Sequence, residues 1–489
     1  MRIDFSFGRP GSSRRRDDGS PARLLVLADL HATKAPARVI DRPIVRVDID
    51  NIGQVLARCA PSATLPAKRG GERLEFGAFD DFHPDALVKR ERLFGRLTDL
   101  RRRLRHPDTF AAAAAELRAG ASPEAVPQAA PALAPAPARA DREDLPAALE
   151  RLLGGSPDKT PPRGQPRAEN VVDNLIRQAV APYVVAAADP RMPELVSAVD
   201  AAMSDVMRGV LHDPGVQEIE ATWRGIHWLV SSLELGETLE LHLLHVTRGE
   251  LSSGAAAGSD LYRRLVDKEA QTSGGLRPAA IVGAYRFDAT ADDLALLESM
   301  GALARAVGAP FVAECGASLL GARSVAQQPD PRDWTALEAG LEARWHALRA
   351  GPAAPYLGLA LPRILLRLPY GRKADPIETF AFEELPPEAD HEAFLWGNAA
   401  FACALVMARE LDAEEEASDA GSIAGLPAFT FDTDEGPRLQ PCAEVCLTER
   451  AIGAVLARGI MPLVSVKDAD EVRLVRPQSI ADPPTALLR

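Results

Sequence analysis

The chain has 489 residues, 46% hydrophobic and 26% charged, an ordinary balance for a globular protein of about three folding units. Lysine and arginine number 56 against 69 aspartates and glutamates, a net charge of −13, which argues against nucleic acid as a partner because phosphate contacts need concentrated basic side chains. Apolar stretches such as Phe394–Ala408 are too short and interrupted to span a bilayer, and Met1–Gly8 has no apolar run after a basic region, so neither membrane insertion nor a secretory leader is expected.

In chain order, Arg2, Ile3, Asp4, Phe5, Ser6 and Phe7 alternate apolar with polar and read as a strand. It stands alone before the polar stretch Gly8–Pro21, so it must pair with an edge in its own fold or a neighbour's. Arg23–Leu30 is a buried strand by its continuous apolar run, and Ile44–Ile49 a second by alternation. Asp50 is placed to cap a helix from Asn51 to Cys59. Leu74–Phe79 reads as a strand, and leucines from Leu87 to Leu104 predict a helix running to Arg105. Arg14–Arg16 and Arg101–Arg105 are basic clusters, each a solvated face or a protein contact.

Composition then changes. Ala111–Arg142 is dominated by alanine and proline and predicts an extended, flexible linker within residues 111–169. Inside it, residues 144–154 form a short amphipathic helix pattern, with Leu145, Leu149, Leu152 and Leu153 on one face. Such a helix either docks on a partner or packs on its own domain.

A second block runs from residue 170 to 489. Helices are expected at Val171–Ala188, Arg191–Asp213, Ala291–Val307, Ala393–Glu410 and Glu449–Arg458. Strands are expected at Leu239–Val246, Ala279–Gly283, Phe311–Glu314, Arg363–Leu368, Glu444–Leu447, Met461–Val466 and Val472–Pro477. A helix between apolar strands points to an α/β fold class. Glu410–Asp419 reads as an acidic loop.

Tests for chemistry return little. Asp29 and His31 follow a buried strand, the way metallophosphoesterases begin, but the further Gly-Asp-x-x-Asp and Gly-Asn-His motifs of that family are missing. Gly-x-x-x-x-Gly-Lys and Gly-x-Ser-x-Gly do not occur. Cys59, Cys315, Cys403, Cys442 and Cys446 are scattered, which fits reduced thiols in a cytoplasmic protein. Cys442 and Cys446 lack a second pair to complete a zinc site. Neither catalytic residues, cofactor nor metal is expected.

The remaining motifs carry a resemblance. Ala221-Thr222-Trp223-Arg224-Gly225, Leu361-Pro362-Arg363 through Pro369-Tyr370-Gly371, Phe380–Glu384, His391, Leu395-Trp396-Gly397-Asn398-Ala399-Ala400, Glu444-Val445 and Gly459–Leu463 stand in order. In these the second block resembles the large subunit of the type VI secretion contractile sheath. The first block, residues 1–110, resembles the small sheath subunit through Arg2–Phe7, Leu24–Asp29, Arg42-Pro43-Ile44 and Phe79–Asp85. One chain thus looks like both subunits fused through the linker.

The resemblance implies a mechanical protein. Its expected partners are further copies of itself in a helical sheath, an inner tube protein, a baseplate, and an AAA+ unfoldase that recycles contracted sheath. In such a sheath, extended terminal strands complete a neighbour's sheet. Arg2–Phe7 fits that arm, with Val472, Arg473, Leu474 and Val475 as a partner strand. The unfoldase grips a helix near the start of the large subunit, which gives Leu145–Leu153 a docking role. Trp223, Arg224, Gly225, Pro362, Arg363, Pro369, Tyr370, Trp396, Gly397 and Asn398 are expected mostly in the core. A non-contractile adaptor at a sheath end and, remotely, a metallophosphoesterase are the alternatives.

Overall fold

The computed structural model describes residues 20–31, 37–120, 192–254, 257–269, 275–386, 391–412, 421–433, 436–467 and 469–488. The arm Arg2–Phe7, the leucines of 144–154 and the expected helix Val171–Ala188 lie outside them. The strands begin with β1 (Ala22–Ala28), β2 (Val45–Val47), β3 (Ser62–Thr64) and β4 (Arg73–Glu75). They continue with β5 (Leu239–His245), β6 (Ala280–Phe287), β7 (Phe311–Cys315), β8 (Leu357–Leu361), β9 (Ile364–Leu365) and β10 (Trp396–Gly397). Last come β11 (Ser422–Ala424), β12 (Phe429–Thr433), β13 (Gly436–Gln440), β14 (Met461–Ser465) and β15 (Glu471–Leu474).

Nine of these form one sheet in the order β11-β15-β14-β8-β7-β6-β1-β5-β2. From β14 to β5 neighbouring strands run parallel, as expected of apolar strands joined by helical crossovers. The decisive placement is β1. It pairs with β5 through Leu24 and Leu241, and with β6 through Leu24 and Ala280. A strand from before the linker therefore fills a slot between two strands from after it. Leu24, Leu25, Val26 and Leu27 are each 0% exposed. Leu24 and Val26 face one core, Leu25 and Leu27 the other, following the two-residue alternation of a strand.

Helices cover both faces. On one side lie α5 (Pro214–Ser232) and α8 (Ala399–Asp412), with α4 (Met192–Leu211), α2 (Glu91–Arg105), α1 (Ile52–Cys59) and α3 (Pro107–Gly120) outside or beside them. On the other lie α6 (Ala291–Val307), α7 (Ala339–Ala350) and α9 (Glu449–Ala457). α6 starts where the Thr290 side chain accepts the Asp293 N–H and stops at Gly308, φ +80°. α8 is apolar almost all round because it is buried against the sheet and α5 at once.

Several expectations change. Ala111–Gly120, read as linker, is helical within α3, and Ala113, Ala114 and Leu117 are buried. Alanine is the best helix former, and the proline that would break the pattern comes only at Pro123. The helix expected up to Arg105 is interrupted, because Arg90 is extended between Pro84–Leu87 and α2. The turn before α1 is held by the Asp48 carboxylate, which accepts from Asp50 and Asn51, rather than by Asp50. Glu444–Leu447 is not a strand; only a bridge between Ala443 and Ile364 forms there. Val472, Arg473 and Leu474 do not offer an open edge. β15 is paired on one side to β14 and on the other to β11, and the Val475 N–H reaches the Pro462 carbonyl.

The interleaved sheet has a direct consequence. Residues 121–489 expressed alone should leave β5 and β6 without the strand between them and yield insoluble protein. Co-expression with residues 1–120 should restore a soluble complex with one cooperative thermal transition. A soluble, cooperatively melting 121–489 fragment would overturn this.

Candidate functional site

Most of the sequence motifs converge where the parallel strands end. In open α/β sheets the carboxyl ends of the strands are the usual ligand crevice. Here that edge is occupied by the chain's own ion pairs.

Arg363 leaves the end of β8 and forks onto Glu392, with Nη1 and Nη2 donating at 3.1 and 2.8 Å. Nη2 also donates to Glu444 at 2.5 Å, and the Arg363 backbone N–H donates to the same carboxylate at 2.9 Å. His391 Nε2 lies 3.3 Å from Glu444, and its ring stacks on Trp396 with centroids 4.7 Å apart. Trp396 Nε1 donates to the His391 carbonyl at 2.9 Å. Trp396 and Gly397 form β10, which pairs with Leu365 and Ile364 of β9. A Cβ on Gly397 would stand 2.5 Å from Leu366 Cγ, so only glycine fits that crossing. Asn398 follows, and its Oδ1 accepts the Ala400 N–H at 2.9 Å at the start of α8.

Four residues further on, Arg367 anchors a second cluster. It forks onto Glu384 at 2.7 and 2.9 Å and donates Nε to Glu220 at 2.9 Å. Glu220, 0% exposed on α5, also accepts from Arg224 Nε at 2.6 Å. Arg224 in turn donates to the Tyr370 hydroxyl at 3.2 Å, and Glu384 accepts the Tyr370 N–H at 2.7 Å. Pro362 and Pro369 are buried in the same loop. Trp223 is 0% exposed in the core beside α8. Gly225 lets Phe401 approach, since a Cβ there would meet Phe401 Cε2 at 2.4 Å. The core placement expected of the motif residues thus holds for Trp223, Gly225, Pro362, Pro369, Tyr370, Trp396 and Gly397. Arg224, Arg363 and Asn398 are half-buried at the margin.

The electrostatics follow from this pairing. Burial works to raise the Glu444 carboxyl, but hydrogen bonds from His391 and Arg363 and the Arg363 charge carry it down to about 2. Glu384 is likewise opposed by burial and brought down to about 2 by Arg367 and His212. Both contribute stability above the ordinary carboxylate range that is lost as pH falls towards 2. Glu314, which the motif reading missed, behaves oppositely. It ends β7 with its side chain fully enclosed and accepts one N–H, from Ala399 at 3.3 Å. Burial pushes it up to about 7, and Arg363 and Arg286 only partly offset this. The signal available in the sequence was an acid closing the apolar run Phe311–Ala313.

Asp29 and His31 are not gathered into a metal-binding constellation. Asp29 Oδ1 accepts the His31 N–H at 2.8 Å and holds a turn in which His31 has φ +49°. Among the described residues, the ligand-type groups lying within 4.8 Å of one another are His391, Glu392 and Glu444. Arg363 already bridges the two carboxylates of that group.

Residues 193–481 match the family described as EvpB/VC_A0108, tail sheath N-terminal domain. The chain belongs to this tail sheath family. Residues 2–119 match a second family, described as Type VI secretion system, VipA, VC_A0107 or Hcp2. Among curated proteins, the type VI secretion system sheath protein TssC1 of Pseudomonas aeruginosa is 32% identical over 304 residues, 59% of this chain and 61% of the relative. The chain thus spans about three fifths of that relative's length. Sheath matches on both sides of residues 120–192 agree with the fusion seen in the motifs, and the sheet adds that the two parts fold together.

Two measurements probe the site. Trp396→Ala removes a side chain only 6% exposed and should cost about 3–5 kcal/mol in urea unfolding. An unchanged midpoint would contradict its burial. Glu314→Gln tests the raised carboxyl. A folded-state value near 7 against 4.5 means the wild type loses stability as pH rises between those values, by up to about 3 kcal/mol. The variant should therefore gain on the wild type between pH 5 and 8, and parallel profiles would refute the assignment.

Proposed function

We propose that this chain is a structural subunit of a type VI secretion contractile sheath, in which small- and large-subunit parts are fused and polymerise around an inner tube in the bacterial cytoplasm. The observation that carries the reading is the pair of sheath-family matches in one chain, whose strands share one sheet. The charged strand ends support it: side chains that would line a ligand crevice in an enzyme are committed to one another, which suits a load-bearing body rather than a catalyst. Among the described residues no helix is long and apolar enough to cross a membrane.

In this reading the baseplate and inner tube are contacts of the assembled polymer. An AAA+ unfoldase docks on Leu145, Leu149, Leu152 and Leu153, an apolar stripe between the two family matches. Arg2–Phe7 is a strand-adding arm whose alternating side chains suit a neighbour's sheet edge. With β15 enclosed, the outer strands available to pairing in the main sheet are β11 and β2.

Electron microscopy of the purified chain is the test. Helical tubes are expected, and deletion of Met1–Phe7 should leave a folded protein that no longer forms them. Discrete particles from the intact chain would instead support an adaptor at a sheath end. Tubes of normal length from the truncated chain would remove the arm from the mechanism.

A further inference from the structure

The outward face of α2 is strongly basic on a chain of net charge −13. Its sequence holds six arginines, Arg92, Arg96, Arg101, Arg102, Arg103 and Arg105, against two acids, Glu91 and Asp99. Two of the six are engaged inside the fold. Arg101 turns inward to Asp200 and the Thr379 carbonyl, and Arg103 bridges Asp99 and Glu116. Arg102 is 71% exposed beside Asp99, and Arg105 and His106 are exposed at the helix end. Arg101, Arg102, Arg105 and His106 line a cleft of about 190 Å³ over the buried Met203.

An acidic counterpart stands elsewhere in the chain. α8 ends in Glu410, Leu411 and Asp412, and the sequence continues through Glu414, Glu415, Glu416 and Asp419. The carboxyl end of a helix carries partial negative charge, so acids there are unfavourable unless a cation compensates them. Burial moves Glu410 further from its charged form. Copies carrying −13 repel one another, and salt screens charges beyond about 8 Å. Self-association therefore needs opposite charges brought into contact.

We propose that the arginine face of α2 docks the acidic run 412–419 of a second copy of this chain. Arg102 and Arg105 supply the exposed guanidinium forks, and Glu414, Glu415 and Glu416 supply carboxylates that arginine binds in paired geometry. The contact rests on the self-assembling reading of the protein, but it does not require that the assembly be a tube.

Sedimentation velocity on the full chain tests it. Arg102→Glu with Arg105→Glu, and separately Glu414→Lys, Glu415→Lys and Glu416→Lys, should each weaken self-association roughly tenfold or more. All five changes in one chain should restore it, and high salt should weaken only the wild type and the restored chain. Circular dichroism confirms that each variant is folded, since the altered arginines are exposed. Undiminished association of either partial variant, absent rescue, or a wild type that stays monomeric overturns the proposal. A lower melting temperature of the dilute Glu→Lys variant with unchanged association also overturns it, by placing the run on its own chain. Micrographs read the other question independently: salt-sensitive oligomers without tubes would sink the sheath reading and leave this contact standing.

Discussion

The fold depends on one strand reaching its slot. β1 is parallel to both neighbours, and its four central side chains are fully enclosed. Each such apolar side chain contributes about 1.5–3 kcal/mol on burial. Without β1, the facing backbone groups of β5 and β6 would lose their partners in the middle of a sheet, where water cannot replace them. The two sequence blocks are therefore not independent bodies held by a tether. The first supplies an interior part of the second, and helices α2 and α4, one from each block, pack together beside it.

The ion pairs at the strand ends extend this logic. A buried pair seldom adds net stability over apolar packing, but removing one partner leaves a charge stranded. Arg363 and Arg367 each face two carboxylates contributed by segments distant in sequence. Arg367 joins the loop after β8 to α5 through Glu220, and Arg363 joins it to the segment before β14 through Glu444. Directional hydrogen bonds at these junctions admit one arrangement of the loops, where apolar contacts alone would tolerate sliding. A subunit that must move as a rigid body gains from that restriction. Glu314 sits behind Arg363 as the exception: its neighbouring arginines are already paired with Glu444 and Asp288.

Much of this was legible in the residues. Ala291–Val307 was bounded correctly because a threonine cap and a terminal glycine flank an apolar period. β1, β5, β6 and β7 were visible as unbroken apolar runs. The central strand β8 was missed, since Leu357–Leu361 is short, contains Gly358 and adjoins the proline-rich motif, so its apolar residues merged with that motif. Gly358 is there because Leu487 Cδ1 lies 2.7 Å from where a Cβ would stand, a constraint from the far end of the chain. The motif residues were identified, but their acidic partners were not assembled. Glu220 and Arg367 are 147 positions apart, and no local pattern joins them. Strand order was illegible for the same reason. Periodicity identifies a buried strand without saying which neighbours enclose it.

Covalent fusion changes what such an insertion requires. As a separate chain, β1 would have to meet the slot by bimolecular encounter and give up translational and rotational freedom. On one chain that step becomes loop closure, whose entropic cost grows only with the logarithm of length, by about 0.6 kcal/mol per doubling. The long connection between α3 and α4 is then a small thermodynamic burden, which removes any need for those residues to be short or structurally specified. Fusion also fixes the two parts at equal number and makes the sheet complete in each copy. What it does not relieve is kinetics. Leu24 must find Leu241 across 217 positions, and non-local pairings of this kind fold slowly because closure precedes any stabilising contact. Until β1 arrives, β5 and β6 expose the strand edges most prone to wrong pairing. A covalent tether shortens that interval, which is a physical reason for carrying both parts on one chain.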